Sequence, residues 1–129
     1  EGHIKFNLKV EIRNYRRDIK FELIGQEPEI SVTGKIVTVK YKVKNISSKF
    51  TKFRPKLFAT VLVAGHKETK DAVEFIKAYE CLCFKEHKVN KGGEIEVVAK
   101  FAIKSEINNV LEDYKTSDRS TITVGYIIR

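Results

Sequence analysis

Apolar and polar residues alternate strictly along several segments of this chain, and a period of two is the mark of a strand that buries one face. Ile4, Phe6, Leu8, Val10 and Ile12 alternate with Lys5, Asn7, Lys9 and Glu11. Val37, Val39, Tyr41 and Val43 alternate with Thr38, Lys40, Lys42 and Lys44. Ile95, Val97, Ala99, Phe101 and Ile103 repeat the pattern, as do Ile19, Phe21 and Leu23, and Ile122, Val124, Tyr126 and Ile128. A helix could not use this spacing, because its apolar stripe recurs every three to four residues. Residues 57–64 form a continuous apolar run of strand length, read as an interior strand and ended by Gly65. Residues 67–77 fit a short helix or a further strand, and 78–85 lean to β. Polar and glycine-containing turns fall at 14–17, 25–29, 45–48 and 90–93. Ser105 stands where it can cap a short helix, since Ile107, Val110, Leu111 and Tyr114 follow at helical spacing.

Each alternating strand hides only one side, so two sheets packed face to face are the economical solution, an all-β sandwich. A chain of 129 residues suits one domain, 1–129, and 42% hydrophobic residues suffice for its core. No run approaches the roughly 18 apolar residues of a membrane-spanning helix. Seven Gly, two Pro and two Cys exclude collagen-like, Pro-rich and disulfide-dense classes.

Gly34-Lys35-Ile36-Val37-Thr38-Val39 through Lys44-Asn45-Ile46-Ser47 resembles a strand found in many immunoglobulin-like sandwiches. Lys91-Gly92-Gly93-Glu94-Ile95-Glu96-Val97 is similar to the turn and strand that come late in the same domains. C-terminal β-domains of transglutaminases carry both, followed by a short helical stretch and a last strand, places taken here by 107–114 and 121–128. Archaeal and bacterial cell-surface sandwich domains share much of the pattern. The likeness covers roughly residues 30–129. It implies an immunoglobulin-like β-sandwich of seven to eight antiparallel strands with one or two short helical segments. It carries over no catalytic residue, because transglutaminase chemistry lies in another domain.

The formal net charge is +8, yet it is local. Between Ile30 and Lys67 stand nine basic residues and no Asp or Glu, and the rest of the chain is close to neutral. Lys40, Lys42 and Lys44 share one strand face, a stripe about 13–14 Å long at strand rise. Lys49-Phe50-Thr51-Lys52-Phe53-Arg54-Pro55-Lys56 then interleaves two aromatics with four cations. Such a segment can grip single-stranded nucleic acid, an anionic membrane surface or an acidic protein face, with the phenylalanines as anchors. The plainer alternative is outward lysines that discourage edge pairing, with Phe50 and Phe53 folded into the core. With a single Arg, the segment offers point charges rather than base-specific readout.

Cys81-x-Cys83 with His87 has the donor types of a Zn²⁺ or Cu⁺ site. A structural zinc site asks for four ligands, and only His3 and His66 could add to the set. The alternative is two small apolar residues in mid-strand, where a bridge between i and i+2 would need unusual geometry. Reduced thiols and no metal are therefore the expectation. A cysteine nucleophile is disfavoured, since such residues sit at helix N-termini. Glu94 and Glu96 alternate on one strand as solvent-facing positions. Unpaired thiols favour the cytoplasm, whereas a start at Glu1 without Met leaves an extracytoplasmic excision open. Asn45-Ile46-Ser47 is a glycosylation sequon.

The reading is a non-enzymatic structural or protein-binding domain, with no cofactor and no small-molecule substrate. Its partners would be another protein or a second copy of itself. The first strand could pair with the second as a hairpin or, at a sheet edge, with a second copy. Electrostatic binding of an anionic partner through residues 30–67 is the second reading.

Overall fold

The alternating segments become the long strands of two facing sheets. The computed structural model describes residues 5–63, 65, 67–112 and 120–129. The strands are β1 (Lys5–Asn14), β2 (Ile19–Ile24), β3 (Ile30–Val32), β4 (Val37–Asn45), β5 (Thr51–Phe53), β6 (Lys56–Leu62), β7 (Lys70–Asp71), β8 (Ile76–Glu80), β9 (His87–Val89), β10 (Glu94–Ile103) and β11 (Thr121–Ile128). One sheet has the order β3-β1-β11-β6-β7 and the other β2-β4-β10-β8, with β5-β9 as a separate two-stranded ribbon. Alternate residues of both sheets meet in one core. Phe6, Leu8, Val61, Ile122 and Val124 come from the first, and Val39, Tyr41, Val43, Val97 and Phe101 from the second. Each such aliphatic or aromatic side chain contributes about 1.5–3 kcal/mol by leaving water. The all-β sandwich expected from the alternation is the observed class. Among the described residues no helix is long and apolar enough to cross a membrane.

Several expectations change. The first two strands do not form a hairpin. β1 pairs in parallel with β11, from Asn7↔Thr121 to Asn14↔Ile128, and antiparallel with β3 at its start. β2 instead pairs with β4 in the opposite sheet. The cause is the corner after β1. Asn14 Nδ2 donates to the Ile19 carbonyl (2.8 Å) and its Oδ1 accepts from the Arg16 N–H (2.9 Å), turning the chain across the sandwich. The parallel pair comes close at Gly125, where a Cβ would run into the Glu11 carbonyl and the Phe58 ring.

The eleven strands among the described residues exceed the expected seven or eight, and four of them are short: β3, β5, β7 and β9 span two or three residues each. Residues 67–77 supply β7, a 3-10 turn at Val73–Phe75 and the start of β8. β6 lies between β11 and β7, inside its sheet as expected, although Ala64 lies outside the described residues. Lys104, not Ser105, precedes the 3-10 turn Ser105–Ile107, and no side chain caps it. The helix α1 (Asn108–Glu112) follows, with Ile107 and Leu111 buried as their spacing requires. Tyr114 lies outside the described residues.

Candidate functional site: the cysteine turn

β8 covers β10 only from Lys100 to Ile103, where the register shifts, and the chain then leaves the sheet at Glu80. The departing segment and the β10 edge enclose an open groove lined by Tyr79, Cys81, Phe84, His87, Ile95 and Val97. Tyr79 (44% exposed) and Phe84 (64%) stand at its mouth.

Cys81 and Cys83 are not mid-strand, and they are not free. Cys81 precedes the 3-10 turn Leu82–Phe84, and the two form a disulfide with Cα atoms 5.0 Å apart. Residues i and i+2 of a strand lie about 6.7 Å apart. That is the far limit for a disulfide, and folding back into a turn brings the pair well inside it. The Cys83 N–H also donates to Cys81 Sγ (3.1 Å).

The residue between them is held from both sides. Leu82 is fully buried. Its N–H donates to Tyr126 Oη (3.3 Å), from β11 in the far sheet. Its carbonyl lies 2.8 Å from His87 Nε2, on β9. An acceptor at that distance requires the proton on Nε2. Tyr126 Oη in turn lies 3.6 Å from Cys81 Sγ. Burial pushes the Tyr126 hydroxyl pKa up, the Leu82 N–H opposing it, so the group keeps its proton and can donate to sulfur. The His87 ring stacks on Phe53 (centroids 5.3 Å, 26°), directly opposite in the ribbon, and Phe53 meets Phe21 edge-on at 5.6 Å.

With Nε2 engaged at Leu82, His87 serves as a hydrogen-bond donor to the turn. Among the described residues no group of three or more His, Cys, Asp and Glu is placed to hold a metal ion. His3 and His66 lie outside the described residues. Only on reduction of the disulfide does the turn offer two sulfur donors.

The basic segment is divided by the fold. Lys40, Lys42 and Lys44 do share the outer face of β4, but β2 sets Glu22 opposite Lys42, and β10 sets Glu96 opposite Lys42 and Glu94 opposite Lys44. Lys42 Nζ lies 3.6 Å from Glu94 Oε2. Phe50 is 54% exposed beside the exposed Lys49, whereas Phe53 is buried against His87. Lys52, Arg54 and Lys56 are exposed, with Lys52 Nζ 3.9 Å from Glu86. Asn45 of the sequon is buried. Its Nδ2 donates to the carbonyls of Lys49 (2.7 Å) and Val89 (3.1 Å), leaving no amide hydrogen for a sugar in the folded domain.

The ribbon is anchored to the β1–β2 corner. Arg16 holds both carboxylate oxygens of Asp18 (3.0 and 2.6 Å) and donates to Thr51 Oγ1 (2.6 Å) and the Lys52 carbonyl (2.9 Å). Thr51 Oγ1 donates to Asp18 (2.6 Å). The Arg16 hydrogen bonds, then that of Thr51, pull the Asp18 carboxyl from 3.8 down to about 2.

The sequence profile of the family described as "Cytochrome c oxidase assembly protein CtaG/Cox11" matches residues 3–128. The chain belongs to this family. The cytochrome c oxidase assembly protein CtaG of Sinorhizobium fredii (strain NBRC 101917 / NGR234) is 30% identical over 106 residues, which is 82% of this chain and 47% of that protein. The chain thus spans about half the length of this curated relative. The likeness to transglutaminase β-domains rested on turn motifs that many sandwiches use.

Within this CtaG/Cox11 domain, sequence reasoning weighed Cys81, Cys83 and His87 as a donor set but set them aside in favour of the basic segment, and it missed the roles of Leu82 and Tyr126. Tyr126 reads as one more core position in an alternating strand. The only signal was chemical: a buried tyrosine hydroxyl needs a partner.

Proposed function

We propose that this CtaG/Cox11 domain serves the assembly of cytochrome c oxidase as a non-enzymatic protein-contact module on an immunoglobulin-like scaffold. Its working group is the Cys81–Cys83 pair, which in the dithiol form carries a soft monovalent metal ion, Cu(I), as cargo. The observation that supports this is the turn itself. Two sulfurs i, i+2 apart are fixed beside an open groove flanked by exposed Tyr79 and Phe84. The donor set fits that ion. Thiolates are soft ligands, and Cu(I) is content with two or three of them, whereas a closed structural zinc site takes four ligands. The aromatic mouth of the groove supplies apolar area for a protein partner. The disulfide has no thiolate to offer, so reduction must precede loading.

The test is a titration of the reduced domain with Cu(I) against a colorimetric Cu(I) chelator. One ion per chain is expected, with retention lost in Cys81→Ser and in Cys83→Ser. Equal competition by wild type and the double serine variant would sink the metal reading.

A second contact surface is favoured by Phe50, exposed among Lys49, Lys52, Arg54 and Lys56. Its chemistry suits an acidic protein face, with the phenyl ring as an apolar anchor.

A further inference from the structure

We infer that His87 and Tyr126 are positioning residues for the cysteine pair. They grip the carbonyl and the N–H of Leu82, so that Cys81 and Cys83 stay on one turn whether bridged or reduced. This deepens the reading of the cysteine turn as the working site, but its evidence is separate from any cargo.

The geometry carries the argument. A Cys-x-Cys segment on a flexible loop would lose its turn once the covalent link opened, because ordering each residue's backbone opposes a compact conformation. Here the middle residue is tied three ways. Its side chain is buried in the core, its N–H reaches Tyr126 Oη, and its carbonyl meets His87 Nε2. The two clamps come from different parts of the fold, β11 and β9. Each is itself fixed, Tyr126 by burial between the sheets and His87 by stacking on Phe53. None of these three contacts is made through the S–S bond, so opening that bond removes none of them directly. Tyr126 alone also touches a sulfur, Cys81 Sγ.

The consequence is a high effective concentration of one thiol at the other, the quantity that preorganisation raises. It is read from the equilibrium in which two glutathione molecules reduce the disulfide to the dithiol and leave as glutathione disulfide. A typical net hydrogen bond corresponds to roughly a 2- to 10-fold change in an equilibrium constant. Tyr126→Phe, which removes one oxygen and keeps the ring, is expected to make the disulfide about 3- to 10-fold easier to reduce. His87→Leu should do the same, and His87→Gln, whose amide can still donate, should restore most of the wild-type equilibrium.

A merely structural role would lower the stability of oxidised and reduced forms alike and leave this equilibrium unmoved. An unchanged equilibrium in folded Tyr126→Phe and His87→Leu, or a His87→Gln variant as altered as His87→Leu, overturns the inference. The experiment contains no metal. Failure of wild-type protein to retain Cu(I) would remove the cargo reading and leave this result standing.

Discussion

At Leu82 the backbone of one buried residue decides where two sulfurs sit, and no property of leucine itself announces this. The N–H and C=O would cost free energy if buried unpaired, and they are met by Tyr126 and His87. Gly125 is the opposite case, a residue whose lack of a side chain is the point. Gly125→Ala sets a methyl group against the Glu11 carbonyl and the Phe58 ring, of which the backbone atom cannot step aside. Destabilisation of about 3 kcal/mol is expected from denaturant unfolding, at the upper end for overpacking. A loss below about 1 kcal/mol would mean that β1 and β11 can separate at that point. The glycine was visible in the sequence, but its neighbour Glu11 lies more than a hundred residues away along the chain.

The elements were legible in proportion to their length. β1, β4, β10 and β11 each run for eight to ten residues, long enough for a period of two to declare itself. β3, β5, β7 and β9 are two or three residues long, and so short a segment has no measurable period. The β5–β9 ribbon nevertheless holds His87 in place, and it depends on the Arg16–Asp18–Thr51 network at the β1–β2 corner. Asp18 has its carboxyl pKa depressed from 3.8 to about 2 in the fold. The network's stabilisation is therefore complete above about pH 5 and is lost as pH falls from about 4 through 2. Asp18 is partly solvent-exposed, which screens the pair. Wild type should lose about 1–2 kcal/mol more unfolding free energy than Asp18→Asn between about pH 5 and pH 2. Parallel pH profiles for the two proteins would show that the ion pair contributes nothing to the corner.

For the whole molecule, the acid-free run in sequence did not become an acid-free surface. Neighbouring strands bring Glu22, Glu94 and Glu96 to the lysines of β4, while Lys49 and Arg54 lie on either side of β5 and Lys56 opens β6. Reversing Lys49, Arg54 and Lys56 to Glu should lower the salt needed to elute the domain from heparin more than reversing Lys40, Lys42 and Lys44. Both triple variants change the net charge equally, so equal shifts would mean that total charge alone governs retention. The sequence by itself determined the all-β class, the long strands, the core face of each and the residue types of the site, because strand period and side-chain chemistry are local properties. Only the tertiary structure decided the rest: that β1 runs beside β11, that Phe53 backs a histidine instead of facing solvent, and that Cys81 and Cys83 meet across a turn gripped from β11 and from the β5–β9 ribbon. Those outcomes depend on which distant strands become neighbours, and register between distant strands is fixed only when the two sheets close over one core.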